Sequence, residues 1–523
     1  MEEKRNEKII ITIILIIQTI IFIIMGANKS YIHMDEAYSL GLASYDKVEI
    51  QNNEDFYNTW HNGEYYEDYL CVNDDETGKF SQVYENQKND VHPPLYYLLL
   101  RIAMGFHKNS YSQWPGVIIN IIIYMFVTIF MYLIIQKLLK GKPKYKEKSA
   151  FIAFLSSIIL SSITNVVYIR MYALSTLNIV ITTYLHMKLL EKDKIDYKLL
   201  FFIGLSALAG SLTHYYYLFY LVMMFIMFVI KYIKEKRYKE LIAYFVTMCI
   251  AGVLSLIIFP YSIQHMFFGY RGQGAISNLT NISQFLTNIC LYIYKINRHA
   301  FNGLLFIILI AMLGIVIYKK VKKQKIEIEK NKYIKYIAIP TLFYSVIIAI
   351  ASPWIELRYI MPVCGLIFIL ILYLLYNLIS NLVQGKKLDI TMLIICIIIM
   401  ITPIIFRMEP EEMFLDKRDI VNKLQNELNV PTIFMFNSNE NRFLDDILLF
   451  SVLDESYVAK DVECTEENIQ NIVKDKDLSN GLVIFINGGQ ENDDIMDKIT
   501  KATGLTSWEW IKGLNACNVY YIK

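Results

Sequence analysis

Residues 9–25 read IIITIILIIQTIIFIIM, and His33-Met-Asp35-Glu36 follows shortly after them. Only Thr12, Gln18 and Thr19 interrupt the apolar run, which is long enough to cross a bilayer as a helix. Lys4, Arg5 and Lys8 precede it, in the manner of a signal peptide. The run is long for such a core, however, and Met25-Gly-Ala-Asn-Lys29 is a poor cleavage site. We read it as an uncleaved anchor.

Ten further runs of this kind follow, at roughly 116–136, 150–169, 173–188, 199–213, 216–231, 240–260, 302–318, 336–352, 359–380 and 388–405. They explain why 55% of the 523 residues are apolar and only 19% charged, with a mean hydropathy of +0.36. That composition excludes a disordered chain, a disulfide-rich miniature and a one-domain cytosolic enzyme. The seven cysteines show no C-x-x-C spacing and no dense pattern, which argues against a zinc finger or a disulfide framework. The chain is expected to be a polytopic α-helical membrane protein of about 11 spans.

The net charge of +2 conceals a strong segregation. With the N-terminus in the cytoplasm, the cytoplasmic segments 1–8, 137–149, 188–198, 231–240, 319–335 and 381–388 carry 28 of the 51 lysines and arginines. The outer loops before residue 406 carry 11, and the tail 12. The positive-inside rule then places the N-terminus inside and the C-terminus outside. The short segment Leu95–Phe106 contains Arg101, and crossing there would turn the lysines of 137–148 outward. We expect it to lie as a helix in the outer interface.

Two outer regions are large. The first loop, 27–115, holds fourteen acids between Asp35 and Asp90. The tail, 406–523, holds 22 acids against 12 bases and reads as a soluble α/β module. Its runs from Pro431 to Phe436 and from Leu482 to Ile486 have the length and boundaries of buried strands, and 411–429 reads as helical. The expected division is a membrane domain, 1–405, and an extracytoplasmic α/β domain, 406–523.

Polar and aromatic residues gather at the outer ends of the spans. Asp35-Glu36 follows the first, and Asp90-Val-His92-Pro93-Pro94-Leu-Tyr96-Tyr97 ends the first loop. Later outer turns carry Tyr168-Ile-Arg170-Met-Tyr172, Thr213-His214-Tyr215, Tyr270-Arg271 and Glu356-Leu-Arg358-Tyr359. Ionisable groups at the edge of membrane helices are costly to place and mark functional sites. The cytoplasmic connections are mostly lysine, which topology alone explains.

Five of these motifs, in this order, resemble the GT-C membrane glycosyltransferases, specifically the protein O-mannosyltransferase and aminoarabinose transferase superfamily. The pieces are Asp35-Glu36, His92–Tyr97, Arg170 with Tyr172, Thr213–Tyr215 and Arg358-Tyr359. The resemblance covers spans 1 to 6 and weakens through span 10. Bacterial members often carry Glu-Ala-Arg at the third motif; here the line is Tyr168-Ile169-Arg170, so the role of that carboxylate does not carry over. The tail matches no family we can name.

The resemblance implies a sugar donor carried on polyprenyl phosphate, an acceptor on the outer face and inversion at the sugar. It implies Asp35 as general base, with Glu36 orienting the acceptor or helping to hold a metal. A carboxylate within reach of the acceptor hydroxyl can take its proton. Arg170 and Arg358 suit the leaving phosphate, because a guanidinium donates two parallel hydrogen bonds to its oxygens. The same arginines would also serve as snorkelling anchors. His92, Tyr172, His214, Tyr215 and Tyr359 are the remaining substrate-binding candidates; a structural role accounts for the histidines equally well, and such tyrosines are more often interface anchors than ligands.

The acidic first loop admits a divalent metal, yet it shows no ligand spacing that specifies one. No glycine-rich phosphate loop and no nucleic-acid-binding pattern occurs. The acceptor class (glycan, lipid or protein) stays open. The rival expectation is a polyprenyl-lipid or polysaccharide transporter without catalysis. Transporters usually place polar groups near the midplane, on interrupted helices. Here the centres of the spans are nearly free of charge.

Overall fold

A computed structural model describes residues 2–44, 54–278, 282–426, 428–436, 442–460, 462–487, 492–514 and 517–523. The side chain of Arg271 lies outside the described residues. The chain forms two compact units: 1–27, 91–96 and 117–411 in the first, and 28–90, 97–116 and 412–523 in the second.

The first unit is helical. Among the described residues, seven helices are long and apolar enough to cross a membrane: Arg5–Asn28, Trp114–Leu139, Tyr217–Lys234, Tyr238–Ile258, Ile334–Ala351, Leu357–Ile379 and Gly385–Ile405. Two bent pairs bring the number to nine: Tyr145–Ser157 with Leu160–Val167, bent by 59°, and Gln284–Ala300 with Leu305–Val321, bent by 98°. The chain is a multi-pass membrane protein.

The two other expected runs are helices as well, Tyr172–Leu189 and Tyr197–Ser211, and neither meets that standard. The first carries Asn178, Thr182, Thr183 and His186, all buried within the unit. Its interior polar groups find partners, such as Thr183 with the Tyr220 hydroxyl at 2.7 Å and His186 with the Tyr244 hydroxyl at 3.0 Å. The second, with 15 residues, is short for a span.

Each bend has a local cause. Ser156 and Ser157 turn their hydroxyls back onto the carbonyls of Ala153 and Phe154, at 2.7 and 2.6 Å, where the first pair breaks. In the second, Gly303 adopts φ +85°, a conformation open to glycine. The Asn297 side chain then accepts from the Leu305 amide at 2.9 Å and caps the next helix. The helix Leu357–Ile379 is the centre of the unit, with 67% of its apolar window buried, against 11% for Tyr238–Ile258.

The second unit contains a six-stranded mixed sheet. Its strands are β1 (Trp60–His61), β2 (Thr432–Phe436), β3 (Ser456–Lys460), β4 (Leu482–Asn487), β5 (Trp508–Gly513) and β6 (Cys517–Ile522), in the order β1-β3-β2-β4-β6-β5. The expected strands are β2 and β4, parallel neighbours in mid-sheet. Such strands are covered on both faces, so they read as unbroken apolar runs. Ile433, Ile484 and Ile486 meet Ile469, Met496 and Ile499 from two helices on one face. Phe434 and Phe485 meet Phe450 on the other, with ring centroids 5.5 and 5.3 Å away.

The structure groups the first loop with the tail, whereas the sequence suggested a break at residue 405. Strand β1 comes from that loop and pairs antiparallel with β3, Trp60 opposite Tyr457. Tyr66 donates to, or accepts from, the Ser456 hydroxyl at 2.9 Å. The segment around Arg101 is the expected helix, Leu95–Met104, and the arginine has a use the sequence does not show. It is buried, and its guanidinium donates to the carbonyls of Ala43, Ser44 and Glu76 at 2.8, 3.0 and 2.6 Å. Its helix is therefore a tie that closes the first loop. A charge alone in an apolar run reads as interfacial until the carbonyls it serves are known.

Asp446 is wholly buried beside the Cys517 thiol, which donates to it at 3.3 Å. Burial pushes its carboxyl up to about 6, against the partial offset of Lys417. A carboxyl raised on folding contributes stability that is complete below pH ~4 and is lost as pH rises through ~6. The expected result is a melting temperature of the full chain that declines over this window, with a shallower decline in Asp446→Asn; parallel profiles would remove Asp446 as the cause.

Candidate functional site

In the first unit, four separate connections meet through their polar residues. The His92–Tyr97 run is held at two adjacent residues: the Leu95 amide donates to the Leu212 carbonyl at 3.0 Å, and the Tyr96 hydroxyl to Asn120 Oδ1 at 3.2 Å. The Asn120 amide donates to the carbonyls of Val166 and Tyr168 at 3.1 and 2.9 Å. Asn178 donates to the Thr213 hydroxyl at 3.0 Å. Asn120 and Asn178 are buried and thus knit the second, third and fourth motifs together.

The functional side chains follow from this scaffold. The rings of His92 and His214 lie 5.9 Å apart, those of Tyr172 and His214 5.3 Å, and those of Tyr172 and Tyr359 6.3 Å. Arg358 Nη1 donates to the Tyr168 hydroxyl at 3.2 Å, and its guanidinium lies 5.3 Å from the Tyr359 ring. The Tyr359 carbonyl accepts from the Tyr344 hydroxyl at 2.8 Å. Arg170 is buried close enough to His214 to influence its charge. The Tyr215 hydroxyl is 2.9 Å from His265 Nδ1. His92, Arg170, Tyr172, His214, Arg358 and Tyr359 are therefore brought together, with Tyr215 and His265 on the flank.

Charge and proton placement follow. Burial holds the His214 imidazolium form well below its usual range, and the neighbouring His92 and Arg170 reinforce this. His214 is neutral at pH 7. Its Nδ1 accepts the Tyr216 amide at 3.0 Å, so the proton sits on Nε2, which becomes a neutral donor. Arg170 stands just before Met171, the N-cap of the helix Tyr172–Leu189, and Arg358 lies in the first turn of Leu357–Ile379. Helix N-termini carry partial positive charge, so two cations and two dipoles favour an anion here.

Asp35 and Glu36 belong to the second unit, in the first turn of the helix Met34–Ser44. The Asp35 amide donates to His33 Nδ1 at 3.0 Å, and the Asp35 side chain is 15% exposed. Its carboxylate is 3.8 Å from the same nitrogen. Since Nδ1 accepts the amide proton, that approach is no hydrogen bond in neutral His33. Glu36 is different. Its side chain is fully buried, with one oxygen paired to Lys29 and the other accepting the His33 amide at 2.8 Å. Those contacts make it a structural anchor for this helix turn, a use that sequence alone does not separate from catalysis.

Removing one member of a buried ion pair strands the other charge and costs about 3–5 kcal/mol. Lys29→Met is accordingly expected to lower the melting temperature sharply, and adding Glu36→Gln to restore part of it. A melting temperature equal to wild type in the single variant would refute the anchor.

Among the described residues, no three His, Cys, Asp or Glu side chains come together to hold a metal ion. Sequence reasoning missed Asn120, Asn178, Tyr168 as the Arg358 partner, and His265. A buried asparagine in an apolar helix was the available signal for the first two.

No protein-family model and no curated protein matches the sequence. Solved structures do. ArnT from Cupriavidus metallidurans bound to undecaprenyl phosphate aligns with a TM-score of 0.53 at 8% identity, over 98% of this chain and 97% of that one. The chain shares the fold of that structure. ArnT in the apo state aligns at 0.49 with 9% identity, over 100% and 98% of the two chains. The apo oligosaccharyltransferase of Archaeoglobus fulgidus gives 0.41 with 11% identity, over 96% and 73%. In this fold the cationic cluster gathers at connections that the sequence motifs had already marked.

Proposed function

We propose that the protein transfers a sugar, a hexose or pentose, from a polyprenyl-phosphate carrier to an acceptor hydroxyl on the outer face of the membrane, with inversion. The observation that carries this reading is the convergence of Arg170, Arg358, His92 and neutral His214 at helix N-termini. Such a site suits a lipid phosphate monoester, and ArnT of the same fold was crystallised with undecaprenyl phosphate.

The acceptor oxygen attacks the anomeric carbon as the bond from that carbon to the phosphate oxygen breaks. The acceptor proton passes to the Asp35 carboxylate, and the carrier phosphate leaves with both bonding electrons. Arg170 and Arg358 stabilise its growing charge, and His214 donates from Nε2. Fixed donors aimed at developing charge often make the largest catalytic contribution. The tyrosines Tyr172, Tyr215 and Tyr359 line the same region and shape it around the headgroup.

The test is sugar release from a panel of radiolabelled undecaprenyl-phosphate sugars by the purified protein, with an envelope extract as acceptor. Label moving from the lipid to extract or water is the expected result. Movement of intact lipid across a liposome bilayer, without sugar release from any donor, would replace the transferase with a transporter.

A further inference from the structure

We infer that residues 412–418, where the tail begins, form a clamp that positions Asp35, so that the tail module is part of the catalytic apparatus. The inference rests on Asp35 being the base. Everything it uses lies within the second unit.

Three sets of contacts make the clamp. The first is polar. The Ser30 amide donates to the Met413 carbonyl at 3.0 Å. Arg418 Nε donates to the Ser30 hydroxyl at 3.0 Å, and its Nη2 to the Asn28 carbonyl at 2.8 Å. The second is aromatic. The Phe414 ring stands edge-on to Tyr31, with centroids 6.2 Å apart, and lies nearly parallel to His33 at 6.4 Å. The buried Lys417 ammonium sits 4.4 Å from the centre of the Tyr31 ring and 5.2 Å from that of Phe414. Such cation–π contacts strengthen when desolvated. The third joins these to the base: His33 Nδ1 accepts the Asp35 amide, and Glu36 accepts the His33 amide.

The chain of contacts therefore runs from Phe414 through His33 to the Asp35 backbone. Phe414 itself adopts φ +50°, left-handed for a bulky residue. Residues held in such conformations persist where the surroundings over-determine them, and they cluster at functional sites. Here the strained backbone directs a ring between Tyr31 and His33. A general base must be held close to its working geometry, and a displacement of about 1 Å can cost on the order of a hundredfold in rate. The loop 29–33 has no regular secondary structure before the helix starts at Met34, so its position depends on outside contacts.

The experiment compares wild type with Phe414→Ala and Arg418→Ala in the full chain, by turnover and by amide hydrogen exchange. Arg418 is exposed, so its removal deletes only its own bonds to Ser30 and Asn28 and guards against misfolding of the first variant. The expected result is faster exchange at residues 30–36, wild-type exchange in β2, β4 and β6, and a kcat lowered about ten- to a hundredfold at unchanged donor KM. Partial rescue by Arg418→Lys is expected too. Unchanged exchange at 30–36 in both variants would overturn the clamp. Faster exchange there with unchanged kcat would overturn the tail's part in catalysis, and Asp35→Asn turnover decides separately whether Asp35 is the base.

Discussion

Asp35→Asn is expected to abolish sugar transfer, lowering kcat by about a hundred- to ten-thousandfold, the range general-base catalysis supplies. The substitution keeps size and removes the acceptor for a proton. The Asp35 backbone bond to His33 is untouched, so the helix turn stays in place. Binding of undecaprenyl phosphate, measured by native mass spectrometry, is expected to remain at wild-type strength. Loss of turnover with intact binding identifies a chemical role. Wild-type turnover in Asp35→Asn would assign the proton to another group. Glu36→Gln is the instructive control. It leaves the Lys29 charge in a buried site, so its principal effect is expected on the melting temperature.

The second large effect is expected at Arg358. Arg358→Ala removes the guanidinium that donates to the Tyr168 hydroxyl, in the first turn of the central helix. Deleting one fixed donor of this kind typically costs about a hundred- to a thousandfold in kcat. Arg358→Lys keeps the charge and loses the planar fork, so it is expected to fall between wild type and alanine. An anchoring arginine would behave differently: both substitutions would then alter expression or melting temperature and leave kcat/KM per folded molecule unchanged. Tyr168→Phe separates the two further, since it removes only the hydroxyl that accepts from Arg358.

Much of this molecule is legible in its residues, and the reasons are physical. Apolar runs long enough to span a bilayer have few alternative uses, so all eleven were found as helices, although nine meet a strict standard as spans or bent pairs. Strands β2 and β4 were legible because parallel strands covered on both faces need unbroken apolar sequence. The motifs of His92, Arg170, His214 and Arg358 were legible because charged groups are expensive at membrane edges and stand out against isoleucine and leucine.

Other features depend on partners remote in sequence. Nothing in Trp60-His61 announces a strand; it becomes one because the edge of β3 is available to it. Arg101 in an apolar helix looked like an interfacial residue, and its purpose was visible only once the carbonyls of Ala43, Ser44 and Glu76 surrounded it. Asp35 and Glu36 are adjacent and chemically alike, yet one is partly exposed and the other sealed against Lys29. The sequence by itself determined the membrane class, the helices and the inventory of charged groups, since each follows from local polarity and spacing. The tertiary structure alone decided that Glu36 is sealed against Lys29, and that the first loop folds with the tail. Burial and long-range hydrogen bonding belong to three-dimensional neighbours, and no local pattern encodes them.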